Sequence, residues 1–481
     1  MDYEPVIGLE IHAQLLTDTK IFCGCSARFG APPNTHVCPV CLGLPGALPV
    51  LNERAVVYAV RAALALGCSV NPISVFTRKN YFYPDLPKGY QISQYEDPLS
   101  TDGRVEYTSH GTTHAVRITR VHIEEDAGKS LHEGFVDSGR KTYLDFNRSG
   151  VPLIEIVTHP DLRSASAAAD FFERLRAILL AVEVNDGNME EGSLRCDANV
   201  SVRLRETIEL GVKVEVKNIN SFRFLERAVD YEFERQVAIA RKGGKIDQET
   251  RLWDATSGRT VPMRSKEEAH DYRYFPEPDL PPLTLTADWI QSVRQDLPEL
   301  PEDRKRRFVI EYALTEHDAG LLAQSRDIAE YFEMTARTSG NPKGASNWIM
   351  GELTRKMKSF GIGIDTVPVT TGALAALIKL VDAGAISGLT AKNVFERMWE
   401  SGRSPAEIVK QEGLARIDDT DALRVIVANT LASNRAAVLK YRNGKTSTLG
   451  FLVGQVMRLT KGKANPQLVN ELLSQMLDDA D

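Results

Sequence analysis

Polar and apolar side chains alternate strictly through residues 6–15. Ile7, Leu9, Ile11, Ala13 and Leu15 fall on one side, and Gly8, Glu10, His12 and Gln14 on the other. A period of two marks a β-strand with one buried face, so Glu10 and His12 project side by side. Taken alone, the segment is a solvent-facing strand of an antiparallel sheet. The period recurs at 212–218, where Val212, Val214 and Val216 oppose Lys213, Glu215 and Lys217. Residues 104–157 read as further strands, with turns at Asp102-Gly103 and Ser138-Gly139. One of these strands carries Ile118, Val121 and Ile123 and ends in three acids, Glu124, Glu125 and Asp126, before Gly128 and Lys129. Alternation groups Glu124 with Arg120 and His122, and Glu125 with Val121 and Ile123. Adjacent acids call for water, a basic partner or a hard cation; a lone triplet reads as a solvated turn. At 152–157 an apolar run is interrupted by Glu155. Such flanks predict a buried carboxylate, which must be paired, protonated or metal-bound, and Arg148 is the simplest partner.

Helical spacing appears at 52–66, with Asn52 as N-cap and Gly67 as stop, at 164–182 and at 221–241. Residues 78–94, rich in aromatics and prolines, read as a loop that could line a cleft with Lys79 and Lys88 facing anions. Residues 271–283 predict no regular structure. From 302 onward helices dominate, at 302–314, 325–339, 346–360, 371–383, 391–401, 421–434 and 448–460. The fold class expected is α+β, in three regions: a sheet-bearing 1–296, a helical 297–405 and a helical tail, 406–481.

The 481 residues suffice for two to four domains, and 43% hydrophobic with 26% charged residues is ordinary for a globular protein. A net charge of −7 argues against wholesale wrapping of nucleic acid. Yet residues 431–466 carry Arg435, Lys440, Arg442, Lys445, Arg458, Lys461 and Lys463 with no Asp or Glu. A phosphate backbone is the natural partner of such a stretch; otherwise it is a solvated basic face. A strand beginning by Val6 leaves no room for a signal peptide, and no apolar run would span a bilayer. A cytoplasmic protein with no membrane partner is expected.

Six cysteines in a chain of this length do not suggest a disulfide scaffold. Four of them, Cys23, Cys25, Cys38 and Cys41, form two close pairs separated by twelve residues. That spacing suits a closed, structural four-thiolate Zn2+ site; a redox pair is the alternative. No glycine–lysine phosphate loop, dinucleotide fingerprint or nucleophile elbow occurs. What remains is a set of carboxylates on strands: Glu10, Glu124 or Glu125, Glu155 and Asp197, with His12 beside Glu10. Lys79, Arg195 and Lys217 could add positive charge. Oxygen-rich donors suit Mg2+, so the residues point to a Mg2+-dependent phosphoryl-transfer or metal-binding site.

Longer motifs sharpen the picture. Val6-Ile-Gly-Leu-Glu-Ile-His12, Lys79-Asn-Tyr-Phe-Tyr-Pro-Asp85, Tyr90-Gln-Ile-Ser-Gln94, His122-Ile-Glu-Glu-Asp-Ala-Gly-Lys129, Pro152-Leu-Ile-Glu-Ile156, Met189-Glu-Glu-Gly-Ser-Leu-Arg-Cys-Asp197, Lys217-Asn-Ile-Asn-Ser-Phe222, Asp271-Tyr-Arg-Tyr-Phe-Pro-Glu-Pro278 and Gly450-Phe-Leu-Val-Gly-Gln455 resemble the GatB family from residue 6 to about 475. The resemblance implies a cradle domain with an antiparallel sheet, then a helical region and a small YqeY-like helical tail. It implies the B subunit of a tRNA-dependent amidotransferase, which phosphorylates the side-chain carboxylate of Glu-tRNA(Gln) or Asp-tRNA(Asn) with ATP for amidation by channelled ammonia. Its partners would be GatA, the amidase subunit, GatC and misacylated tRNA. Carried over residue by residue, it points to Glu10, His12, Glu125 and Glu155 around a catalytic Mg2+, choosing Glu125 over Glu124 for a site on the inner face of the sheet. Lys79, Asp197, Glu215 and Lys217 match family motifs in the same cradle; the resemblance implies catalytic roles for Lys79 and Asp197 beside the Mg2+ group, and ATP or phosphate binding by Lys79, Arg195, Glu215 and Lys217. The four cysteines imply Zn2+, and the basic tail a tRNA contact. The competing readings are a non-catalytic tRNA-binding module and a free-standing Mg2+-dependent ligase for a small carboxylate.

Overall fold

The alternation at residues 6–15 builds the middle strand of a nine-stranded sheet in the computed structural model, which describes residues 2–131, 137, 140–263, 272–415, 419–460 and 463–478. In chain order the strands are β1 (Tyr3–Gln14), β2 (Ser69–Val70), β3 (Ile73–Ser74), β4 (Thr77–Asn80), β5 (Tyr90–Ser93), β6 (Ser100–Ser109), β7 (Thr112–Glu125), β8 (Lys129–Leu131), β9 (Tyr143–Asp145), β10 (Pro152–Thr158), β11 (Leu194–Leu204), β12 (Val214–Ile219), β13 (Thr250–Asp254), β14 (Arg259–Pro262), β15 (Phe275–Pro276) and β16 (Leu283–Thr284). The main sheet runs β14-β13-β12-β11-β1-β10-β7-β6-β2. It is antiparallel except where β12 meets β13.

The register follows from the pleat. Ile7, Leu9, Ile11 and Ala13 of β1 join Ile154 and Ile156 of β10, Ile118, Val121 and Ile123 of β7, and Ala198 and Val200 of β11 in one buried core. Three helices contribute the rest of that core: α1 (Glu53–Ala65), α2 (Ala165–Ala181) and α3 (Phe222–Arg241). Each begins where a side chain caps it. Asn52, Ser164 and Ser221 accept backbone N–H bonds from the first turn, satisfying donors that the helix cannot. With one sheet face covered by helices, the residues of opposite parity stand on the other.

Several local expectations change. The 78–94 segment is not all loop: β4 and β5 pair within it, and β15 adds a third strand. Val212 lies exposed, before β12 begins at Val214. Asp102-Gly103 is no turn but lies inside β6, with Asp102 at φ 59° and the chain reversing at His110-Gly111 instead. The glycine is needed for a close approach. A Cβ at position 103 would sit 2.9 Å from both Leu66 O and Ile118 Cβ, and closer still to Cys68 Sγ. Ser138-Gly139 lies outside the described residues.

The chain divides into Met1–Leu300 and Pro301–Asp481. The second unit is helical and holds two cores. One gathers Phe308, Phe332, Leu377, Phe395 and Trp399 and reaches Ile408 and Val409 on the helix Pro405–Gln411, so it continues past residue 405. The other begins at Leu423 and includes Val456 and Leu473. The helix expected at 346–360 begins earlier, as Pro342–Trp348, and passes through a π-helical turn, Ile349–Leu353, before Thr354–Phe360. Among the described residues no helix is long and apolar enough to cross a membrane. Gly103→Ala should cost about 1–3 kcal/mol of stability by overpacking, read as a lower denaturation midpoint; an unchanged midpoint would show that Cys68 and Ile118 yield freely.

Candidate functional site

Directly opposed residues in antiparallel strands share a face, and the register strings four polar side chains across the uncovered side. Arg195 of β11 opposes His12 of β1, His12 opposes Glu155 of β10, and Glu155 opposes His122 of β7. Glu124 follows His122 two residues on, on the same side. His12 Nε2 stands 3.4 Å from Glu155 and 3.8 Å from Glu124; His122 Nε2 stands 3.5 Å from Glu124 and 3.7 Å from Glu155. His12, Glu124 and Glu155 each offer a donor atom within 4.8 Å of the others. Three ligands around one ion, at bonds of about 2.0–2.6 Å, span such a distance, so these residues fit a small divalent cation.

Glu124 and Glu155 are only 2% and 8% exposed. For Glu155, burial opposes ionisation, but His122 and His12, helped by Lys79, hold its carboxyl well below the usual range. For Glu124, burial is likewise outweighed, chiefly by His122 and then Lys79. His12 is the mirror case: burial disfavours the imidazolium, yet Glu155 and then Glu124 raise it above the ordinary histidine value. Lys79 reaches the same spot from β4, its ammonium 5.0 Å from the Tyr272 ring centre and raised by Glu124 against its own burial. Arg195 is fastened at one side, donating to Asp126 at 3.1 Å; Gln14 donates to the same carboxylate at 2.7 Å.

A second group continues along the face. Glu10 opposes Asp197, and its Oε1 accepts from Asn199 at 2.9 Å. Lys217 Nζ lies between Asp197, at 2.5 Å, and Glu215, at 2.9 Å. Burial raises the Glu10 carboxyl, and the neighbouring Glu155 and Glu215 add to it.

Two expectations need correction. Glu125 does not join His12 and Glu155. It points to the opposite side, where it is ion-paired with Lys88 and accepts from the backbone N–H of Ile92 at 2.8 Å. The residue that joins them is Glu124, as alternation alone had grouped it: in an extended strand, neighbouring residues cannot share a face. Arg148 is not the partner of Glu155. It donates to the carbonyls of Ala127 and Gly128 and stands 3.6 Å from Asp126. His122 had no expected role, although the alternation that selected Glu124 includes it.

The sulfurs of Cys23, Cys25, Cys38 and Cys41 also converge within 4.8 Å. Cys41, the buried member, accepts from the backbone N–H of Cys38 at 3.2 Å. Four thiols meeting at one point fit a tetrahedral soft cation. Arg435, Lys440 and Arg442 lie on the helix Arg435–Arg442, Lys445 follows it, and Arg458 lies on Thr448–Leu459; all five are exposed. Lys463 is half-buried and donates to Gly413 O at 2.6 Å, and Lys461 lies outside the described residues.

The molecule is thus an α+β protein with a polar sheet face that gathers donors able to hold a metal ion. Residues 5–291 match the family model for the GatB/GatE catalytic domain, and residues 330–477 that for a GatB domain. The chain belongs to the GatB/GatE family. It is 53% identical over 479 residues to the B subunit of the aspartyl/glutamyl-tRNA(Asn/Gln) amidotransferase of Thermodesulfovibrio yellowstonii, with 100% of both chains covered. It is 54% identical to the protein of the same name from Thermoanaerobacter sp. strain X514 and 52% identical to that of Trichlorobacter lovleyi, each over 99% of this chain and 100% of the relative.

Because His12 binds a proton more readily than an ordinary histidine, a cation must displace that proton. Divalent-ion affinity should therefore rise with pH until the pH passes a midpoint above about 6.5. Calorimetric titration with Mg2+ across pH 5.5–8.5 checks this, and His12→Gln should flatten the dependence. In the metal-free chain the sign is opposite. Stability from the His12 imidazolium is full below about pH 6.5 and is lost as pH rises through the raised native value.

Proposed function

We propose that this chain is the carboxylate-activating, tRNA-handling subunit of a tRNA-dependent amidotransferase. In this reading it uses ATP to phosphorylate the side-chain carboxylate of Glu-tRNA(Gln) or Asp-tRNA(Asn). Ammonia from a glutaminase subunit, GatA, then displaces phosphate to give Gln-tRNA(Gln) or Asn-tRNA(Asn), with GatC as the third member of the assembly. The observation that carries it is the meeting of His12, Glu124 and Glu155 on the open sheet face, in a chain whose relatives bear the amidotransferase name.

The chemistry explains the demand for such a face. A carboxylate has no leaving group, whereas an acyl phosphate does. Forming it brings an anionic nucleophile to an anionic phosphoryl group, so the face must supply positive charge and hold the reactants in line. His12, Glu124 and Glu155 would hold Mg2+, with Glu124 in the place the family resemblance had given to Glu125. Bound there, Mg2+ supplies charge neutralisation for phosphoryl oxygens. Lys79, whose ammonium is raised by Glu124 and Glu155, would meet transferred phosphate. Arg195, fixed by Asp126, would present its free edge to the same region. Lys217 is already shared by Asp197 and Glu215, so its part is to hold that group together. Glu10 lies one step from the donor set and completes its outer shell. The thiol cluster would hold structural Zn2+, and the exposed tail cations would follow a tRNA backbone.

Reconstitution with the amidase and third subunits tests this reading. ATP turnover should require misacylated tRNA, and Glu124→Ala should lower it by about two orders of magnitude. Turnover without tRNA would favour the free-standing ligase, and tRNA binding with no turnover the binding module. Lys440→Ala or Arg442→Ala should weaken tRNA binding with little regard to sequence, each reducing the salt-dependence slope by about 1. An unchanged slope for both removes the tail from the interface.

A further inference from the structure

Lys20 is a lysine with 0% exposure. A buried ammonium is costly unless an opposite charge and hydrogen bonds compensate it. Its side chain forms no ion pair with any carboxylate among the described residues. It donates instead to His36 O at 2.7 Å and Phe146 O at 3.2 Å, and it stands 3.6 Å from Cys41 Sγ. Two carbonyls supply partial charge only. Among its described partners, the one that can carry a full negative charge is the Cys41 sulfur.

The surroundings are built around that contact. Cys41 is the buried member of the four cysteines, and its sulfur also accepts the backbone N–H of Cys38. Two donors aimed at one sulfur suit a thiolate better than a thiol, which is only a weak acceptor. Gly150 closes the pair from behind: a Cβ there would lie 3.5 Å from both Cys41 Cβ and Lys20 Cδ. Four thiolates around Zn2+ carry a net charge of −2, which is itself expensive to bury; one ammonium against the most buried sulfur halves it.

We propose that Lys20 belongs to the zinc site as its counter-charge: its ammonium neutralises part of the tetrathiolate charge and holds the Cys41 sulfur by an N–H···S bond. Lys20 is a positioning residue. It touches no ion directly, acts through Cys41, and ties the cysteine loop to the Phe146 carbonyl ahead of β10. The inference rests on the zinc reading above and is independent of the amidotransferase reaction.

The test uses the full chain. Metal analysis comes first and should give about one zinc per chain; a wild-type chain that takes up neither zinc nor cobalt overturns both the zinc reading and this one. Lys20→Met should release zinc to a chromogenic chelator about 10- to 100-fold faster, as losses of groups that hold metal ligands do. In the cobalt-loaded protein the thiolate-to-metal charge-transfer band should move to longer wavelength, because the Cys41 sulfur loses a positive neighbour. Lys20→Arg should restore much of both. Should Lys20→Met fail to fold, Lys20→Gln removes the charge while leaving a donor for the carbonyls, and the same two readings apply. Unchanged release overturns the proposal. So does faster release with an unmoved band, which would reduce Lys20 to a tie between loops.

Discussion

Two imidazoles and two carboxylates, packed across three adjacent strands, set the condition that the sheet must meet. Glu124 and Glu155 are buried, and a buried carboxylate that loses its partner is strongly destabilising. Burial opposes their ionisation and is outweighed by His122, His12 and Lys79 around them, while the two acids in turn raise His12 and Lys79. The group can be assembled only if β1, β7 and β10 keep their register. The opposite face enforces that register. A slip of one residue would turn Glu155 toward the core that contains Phe171, Phe172 and Ile178 of α2, and would expose Ile154 and Ile156. The apolar face therefore fixes the geometry of the polar one.

This coupling explains how much could be read without coordinates. The faces of β1 were legible because a period of two is a property of the backbone. So were the helix starts at Asn52, Ser164 and Ser221, because capping is local. Strand partners were not legible. Nothing local in residues 152–157 says that Glu155 faces two histidines rather than Arg148; that depends on β10 lying between β1 and β7. Asp102-Gly103 was misread for a similar reason. The dipeptide suits a turn, but the glycine answers the approach of Leu66 and Cys68 from distant parts of the chain. Lys20 gave no sequence signal, since a lysine beside a cysteine loop is ordinarily a surface residue.

The end of β7 shows what alternation does with adjacent acids. Glu124 enters the group on the open face. Glu125, one residue later, is directed to a cavity of about 230 Å³ bordered by Lys88, Lys20, Cys23 and Cys41. Asp126 then collects Arg195, Arg148 and Gln14. Three consecutive carboxylates thus find three separate sets of partners, and the repulsion expected of the triplet is relieved by direction and not by solvent. Through Glu125 and Lys20 the same cavity also borders the thiol cluster, so the strand that carries Glu124 and the loop that carries the cysteines share a wall.

Along the open face, the two carboxylates of β1 and β10 are driven in opposite directions. Glu155 sits between imidazoles and is held ionised, whereas Glu10, half-buried beside Glu155 and Glu215, retains a proton more readily. Carboxylates whose surroundings push them apart in acidity are suited to different tasks. The ionised one suits a cation. The reluctant one stands beside it, its Oε1 oriented by Asn199. A divalent cation bound by Glu155 would offset part of the negative charge that Glu10 feels and make Glu10 easier to ionise. Because Glu155 is among the groups that raise Glu10, the His12–Glu124–Glu155 cluster and Glu10 are electrostatically linked.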